Sequence, residues 1–197
     1  TSFVGAATVR ELLRRGHTVT AIVRPKSSKL DTILEGNEEA LLSGRLLVIE
    51  NDLSEPERLL EKVTKPQDVF CHFGWGGSGS ASRTDKALQE KNMEISLETV
   101  RTAKALGCRK FLFSGSQAEY GMHQDLITEE TVCEPKSLYG EAKLAMRERG
   151  EKLCGELGLR YIHARIFSAY GPGDHPWTLV ESCLDAFLNN KEMSLGA

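Results

Sequence analysis

Apolar positions along the chain follow two alternating periods. Residues 4–15 place Val4, Ala7 and Leu12 on one face and Arg10, Glu11 and Arg14 on the other, the spacing of an amphipathic helix, with Gly16 as its stop. Residues 18–24, T-V-T-A-I-V-R, predict a β-strand that Pro25 ends. Residues 27–39 read as weakly helical. A strand at 46–50, a short helix at 55–63 and a strand at 68–73 follow, the last running into a glycine-rich loop at 74–80. Then come a long helix at 86–106 stopped by Gly107, a strand at 110–113, a helix at 137–157 after Pro135, a strand at 160–167, a G-P-G turn at 171–173 and a helix at 177–189. A final extended run occupies 192–195. Strands separated by helices imply a parallel sheet covered on both faces. The expected fold is therefore α/β, a doubly wound parallel sheet. The first element is a helix with no strand feeding it, so the first βαβ unit reads as incomplete and both ends read as cut.

Bulk properties narrow the picture. The chain has 197 residues, 40% hydrophobic and 27% charged, with 25 basic against 28 acidic residues and a net charge of −3. These are the values of a globular protein, and they give no electrostatic reason to expect nucleic acid or an anionic membrane as partner. No apolar run reaches the roughly 18 residues of a membrane span. The five cysteines lack ligand or redox spacing and the five histidines are scattered; reduced thiols, no metal and a cytoplasmic location are the expectation.

Candidate chemistry centres on Tyr139 and Lys143. Their i, i+4 spacing on the helix at 137–157 puts them on one face. A phenol ionises near 10, so a proton carrier at neutral pH needs that value lowered, and an adjacent ammonium favours the phenolate. Such a pair is common by chance, and context decides whether it carries chemistry.

The context is P-K-S-L-Y-G-E-A-K over residues 135–143, which resembles the extended short-chain dehydrogenase/reductase family, particularly its nucleotide-sugar epimerase/dehydratase branch. Further segments resemble that family in order. T-S-F-V-G at 1–5 looks like the second half of its phosphate loop, which implies Ser2, Phe3, Val4 and Gly5 beside the cofactor pyrophosphate at a helix N-terminus. Asp52 and Leu53, after the strand at 46–50, are implied near adenine; equally, this is a helix-start region that Ser54 could cap. Phe73, Gly74 and Trp75 would line the cofactor trough. Trp75 departs from the small residue usual there, and reads equally as pocket wall or core aromatic. Asn92 matches a structurally important asparagine near the site.

F-L-F-S-G-S-Q-A-E-Y-G at 111–121 is similar to the family's fifth strand and following loop, with Ser114 near the cofactor and Ser116 at the catalytic Ser/Thr position. R-I-F-S-A-Y-G-P-G at 165–173 resembles the start of the substrate-binding region, with Phe167 on the cofactor side and Ser168 in place of a substrate-touching Asn. The resemblance thus implies Ser116, Tyr139 and Lys143 as catalytic residues. Trp75, Ser116, Gln117 and Ser168 are implied against substrate. It also implies a domain 1–166 that binds NAD or NADP and the start of a substrate region at 167–197.

Two departures refine this. Sugar dehydratases of the family carry Asp-Glu after the catalytic Thr; here those positions are Gln117 and Ala118, which do not titrate. Glu119 lies one residue later and is expected to point away from the site. Hydride transfer without loss of water, as in 4-epimerisation or 4-keto reduction, is therefore expected. Arg24 stands where NAD-binding members carry Asp; it reads as a surface residue or as a partner for the 2′-phosphate of NADP, and the balance leans to NADP. Expected partners are a nucleotide-sugar substrate and a second copy of the chain docked through the helices at 86–106 and 137–157. The competing readings are a reductase of a non-sugar ketone and a non-catalytic NADP-binding sensor of the same fold.

Overall fold

A computed structural model describes residues 2–77, 80–176 and 178–193. Seven α-helices and five strands are described: α1 Phe3–Arg14, β1 Val19–Val23, α2 Asp31–Leu34, α3 Glu38–Leu42, β2 Leu46–Glu50, α4 Leu59–Lys62, β3 Val69–His72, α5 Lys86–Ala105, β4 Lys110–Ser116, α6 Leu138–Glu156, β5 Arg160–Ile166 and α7 Leu179–Leu188. Short 3-10 turns lie at Pro56–Arg58, Ser80–Thr84 and Gln117–Glu119. The α/β class with parallel strands that the patterning implied is what the structure shows.

The boundaries move in four informative places. The stretch 27–39 is not one weak helix but two short ones, α2 and α3, with Gly36 between them. The short helix at 55–63 begins as a 3-10 turn at Pro56 and becomes α4. β4 runs three residues further than the apolar pattern, through S-G-S, because each residue pairs in parallel with β5 up to Ser116 opposite Ile166. Glu192 and Met193 form no strand; the rest of that expected run, the expected helix start at Trp177 and the loop positions 78 and 79 lie outside the described residues.

The chain forms two compact units, residues 1–21, 27–48 and 168–197 in one and 22–26 and 49–167 in the other. In the first, α1 is started by Ser2, whose Oγ accepts from Gly5 N at 3.2 Å, and Arg45 donates to the Leu13 carbonyl at its other end. Strands β1 and β2 pair with each other.

The second unit holds the three-stranded parallel sheet β3-β4-β5. Its register aligns Phe70, Phe111 and Tyr161 in one row and His72, Phe113 and His163 in the next. Side chains two apart share a face, so these rings stack across the strands, Phe70 on Phe111 at 5.7 Å and Phe113 on His163 at 5.5 Å. Phe111, Phe113, Val100, Met146 and Cys154 are fully buried and form the core that fixes α5 and α6 on the sheet. Among the described residues, no helix is long and apolar enough to cross a membrane.

Candidate active site

The C-terminal end of β4 assembles the expected catalytic trio. Ser116 ends the strand and starts the 3-10 turn, its Oγ accepting from Ala118 N at 3.2 Å. Ser137 caps α6 by accepting from Gly140 N at 3.1 Å, which sets Tyr139 in the first turn. Gly140 lets that turn approach the strand end; a Cβ there would sit 2.5 Å from the Ala118 carbonyl oxygen. The Ser116 side chain is one of the groups that draw the Tyr139 phenol down.

Lys143 follows one turn later and is 2% exposed. Its Nζ donates to the Ser114 carbonyl at 2.7 Å and stands 4.1 Å from the Trp75 ring centre and 4.6 Å from that of Phe113. Burial pulls its ammonium down to about 7, with Glu119 opposing. The Tyr139 phenol departs from expectation. Burial drives it above its usual value, and what draws it back is the Ser116 side chain and the charge of Arg83. Lys143 lies 5.7 Å from the ring centre, its own charge weakened by burial.

Glu119 does not simply point away. It is 0% exposed and turned inward behind Ser116, accepting from Ser116 N at 2.8 Å, from Arg165 Nε at 2.7 Å and from His163 Nε2 at 3.0 Å. Burial would raise its carboxyl, but His163, Arg165 and the Ser116 amide outweigh that and hold it low. Arg165 continues to the Tyr120 hydroxyl at 2.8 Å and the Cys133 sulfur at 3.3 Å, and His163 Nδ1 meets Tyr161 Oη at 3.0 Å. This network leaves one local trace in the sequence, S-x-x-E at 116–119, a capping-box signature. Nothing in the patterning singled out His163.

The loop after β3 is fixed from α5. Asn92 both accepts from Gly76 N at 3.0 Å and donates to its carbonyl at 2.7 Å, so its amide holds the loop. Trp75 is a partly buried aromatic of the core. It also lies edge-on to Tyr139 at 6.2 Å, its Nε1 donating to Gln89 at 2.9 Å. Leu53 packs on Gly74 so closely that a Cβ there would lie 2.6 Å from Leu53 Cδ1. Asp52, and not Ser54, is the local acceptor: its carboxylate takes the Ser54 amide at 2.8 Å and hydroxyl at 2.6 Å. Those bonds hold its pKa low, with smaller help from Lys91 and Arg24. Arg24 is exposed after β1.

Phe73 is half-buried, Gln117 is exposed, and Phe167 is exposed beside Tyr120 at 5.9 Å. In the other unit, Phe3 and Val4 are half-buried and line a groove with Tyr170, and Ser168 is exposed. The structure thus brings together Ser114, Ser116, Tyr139, Lys143 and Trp75, and adds Glu119, Gln89 and Arg83.

Parallel α/β architecture with a Ser–Tyr–Lys set at a strand end defines the extended short-chain dehydrogenase/reductase class. The profile of the NAD dependent epimerase/dehydratase family matches residues 1–195, and the chain belongs to that family. It is 28% identical over 168 residues to D-erythronate dehydrogenase of Cupriavidus necator, covering 83% of this chain and 50% of that protein. It is 26% identical to the uncharacterized UDP-glucose epimerase YtcB of Bacillus subtilis, covering 98% of this chain and 62% of that protein. Among solved structures, UDP-glucose 4-epimerase of Thermotoga maritima with UDP-glucose superposes with a TM-score of 0.80 at 23% identity, over 100% of this chain and 63% of that one. UDP-N-acetylglucosamine 4-epimerase of Methanobrevibacter ruminantium gives a TM-score of 0.79 at 25% identity, over 96% and 61%. The chain spans half to about three-fifths of the length of these relatives.

Proposed function

We propose that the intact protein is an NAD(P)-dependent nucleotide-diphospho-sugar epimerase or 4-keto-sugar reductase. The observation that carries this is Ser116 at the end of β4 and Tyr139 in the first turn of α6, which Gly140 brings against the strand-end turn, with Lys143 buried one turn further along. Tyr139 gives and takes the proton at the reacting oxygen of the sugar, and Ser116 orients that oxygen by its hydroxyl. Gln117 and Ala118 offer no acid or base for loss of water, which supports transfer without elimination.

The residues present fit a nicotinamide dinucleotide. Lys143 Nζ donates to the Ser114 carbonyl and has further N–H donors suited to ribose hydroxyls. Leu53 and Gly74 form a close-packed wall suited to the adenosine end, and Asp52 with Arg24 offers an acceptor and a permanent cation. Ser2, Phe3, Val4 and Gly5 are proposed for the pyrophosphate, with α1 supplying a helix N-terminus. Bound nicotinamide supplies hydride exchange with the carbon bearing the reacting oxygen. Arg24 supports NADP, and a homodimer through α5 and α6 belongs to the same reading.

A second reading, a dehydrogenase of a smaller polyhydroxy substrate, draws on the likeness to D-erythronate dehydrogenase. The deciding experiment is Tyr139→Phe in the intact protein, assayed with nucleotide sugars and with small hydroxy acids. Turnover should fall by about 100-fold or more while cofactor affinity is kept. Undiminished turnover would overturn the assignment, and the substrate that responds separates the two readings.

A further inference from the structure

The turn after the glycine-rich loop carries an arginine to the catalytic tyrosine. Arg83, in the 3-10 turn Ser80–Thr84, places its guanidinium carbon 5.0 Å from the Tyr139 ring centre. The turn is anchored by Gln89 of α5, which is 2% exposed. Gln89 donates to the Ser82 carbonyl at 2.9 Å and accepts from Trp75 Nε1 at 2.9 Å. One buried amide therefore ties together the loop after β3, the turn carrying Arg83 and the ring that covers Lys143.

The charges around the phenol come from three directions. Lys143 stands on the same helix, its ammonium brought down to about 7 by burial and so only partly charged at neutral pH. Glu119 lies behind β4, its carboxylate engaged by Arg165 and His163. Arg83 comes from the loop side, and a guanidinium keeps its charge at any pH the fold tolerates. We propose that Arg83 is a positioning residue of the catalytic centre: its permanent charge over the Tyr139 ring, fixed by the Trp75–Gln89–Ser82 chain, favours the phenolate that the proton carrier must form. The electrostatics agree, since the Arg83 charge is one of the two influences drawing the phenol down against burial. This deepens the proposed function and rests on Tyr139 being the proton carrier.

The test needs no substrate. Difluorotyrosine, whose phenol ionises in the neutral range, is incorporated into the intact protein in place of its four tyrosines and titrated by fluorine NMR. The Tyr139 signal is identified by its loss in Tyr139→Phe. Arg83→Gln should raise the Tyr139 pKa by about half a unit to one unit, the effect of one charge at this range in a water-rich setting. Arg83→Lys should restore most of the shift. Gln89→Met, which keeps the arginine but frees its turn, should move the pKa the same way by less. The other three signals report whether the fold is kept. A Tyr139 titration that stays put in both Arg83→Gln and Gln89→Met overturns the proposal. Turnover surviving Tyr139→Phe would sink the functional reading and with it the catalytic role of Arg83, whatever the titration shows, whereas an unmoved titration with an inactive Tyr139→Phe would sink the role of Arg83 alone.

Discussion

Replacing Glu119 tests whether a buried carboxylate holds the strand end that carries Ser116. Glu119→Ala removes at once the acceptor for Arg165 at 2.7 Å, His163 at 3.0 Å and the Ser116 amide at 2.8 Å. The side chains left behind are 10% exposed for Arg165 and 8% for His163, so water cannot easily replace the lost partner. Breaking a buried pair from one side costs about 3–5 kcal/mol. That is a large part of the roughly 5–15 kcal/mol that keeps a domain folded. With a urea slope of about 2 kcal/mol per molar, the unfolding midpoint should fall by about 2 M. Glu119→Gln keeps the outline and an acceptor for Ser116 N–H but removes the charge, and should cost about 1.5–3 kcal/mol.

The pH dependence gives an independent check on the sign. In the fold the Glu119 carboxyl is held below its usual value, because His163, Arg165 and the Ser116 amide outweigh burial. A depressed carboxyl contributes stability that is complete above the unfolded-state value and is lost as pH falls through the folded-state value. The gap between wild type and Glu119→Gln should therefore close on acidification. The measurement is urea unfolding followed by circular dichroism at a series of pH values. A midpoint for Glu119→Ala within about 0.3 M of wild type, or a gap to Glu119→Gln that widens in acid, would refute the reasoning.

Two further substitutions probe the same packing. Among the described residues the Thr102 hydroxyl is buried without a partner, so Thr102→Val should raise stability by about 1 kcal/mol in the same urea assay. Gly140→Ala should lower it by about 1–3 kcal/mol and shift the thermal midpoint down, since the new methyl meets the Ala118 carbonyl and Pro135.

Much of the architecture was legible because period-two and period-3.6 patterns are imposed by burial on one face. Tyr139 and Lys143 were legible through their context, P-K-S-L-Y-G-E-A-K at 135–143 downstream of Ser116, because the i, i+4 spacing by itself is common by chance. Ser-Gly-Ser at 114–116 reads locally as a turn, yet pairing with β5 draws it into the sheet, a tertiary preference that overrides local propensity. Residues 27–39 had little periodicity to interpret, and they form two short helices. The role of Glu119 was partly written in S-x-x-E, but its inward partners His163 and Arg165 are 44 and 46 residues away, a pairing only the sheet register creates. Arg83 gave no local signal at all, because its place over Tyr139 depends on a turn anchored by Gln89.

Trp75 is one of two tryptophans in the chain. Its indole faces the Lys143 ammonium at 4.1 Å and is pinned by Gln89 at 2.9 Å. An indole's emission responds to a cation against its face, so any ligand that draws the lysine away changes the light that Trp75 gives out. With the second tryptophan replaced, the protein becomes its own fluorescent indicator of lysine engagement, and arrival of a dinucleotide can be followed in time before any chemistry occurs.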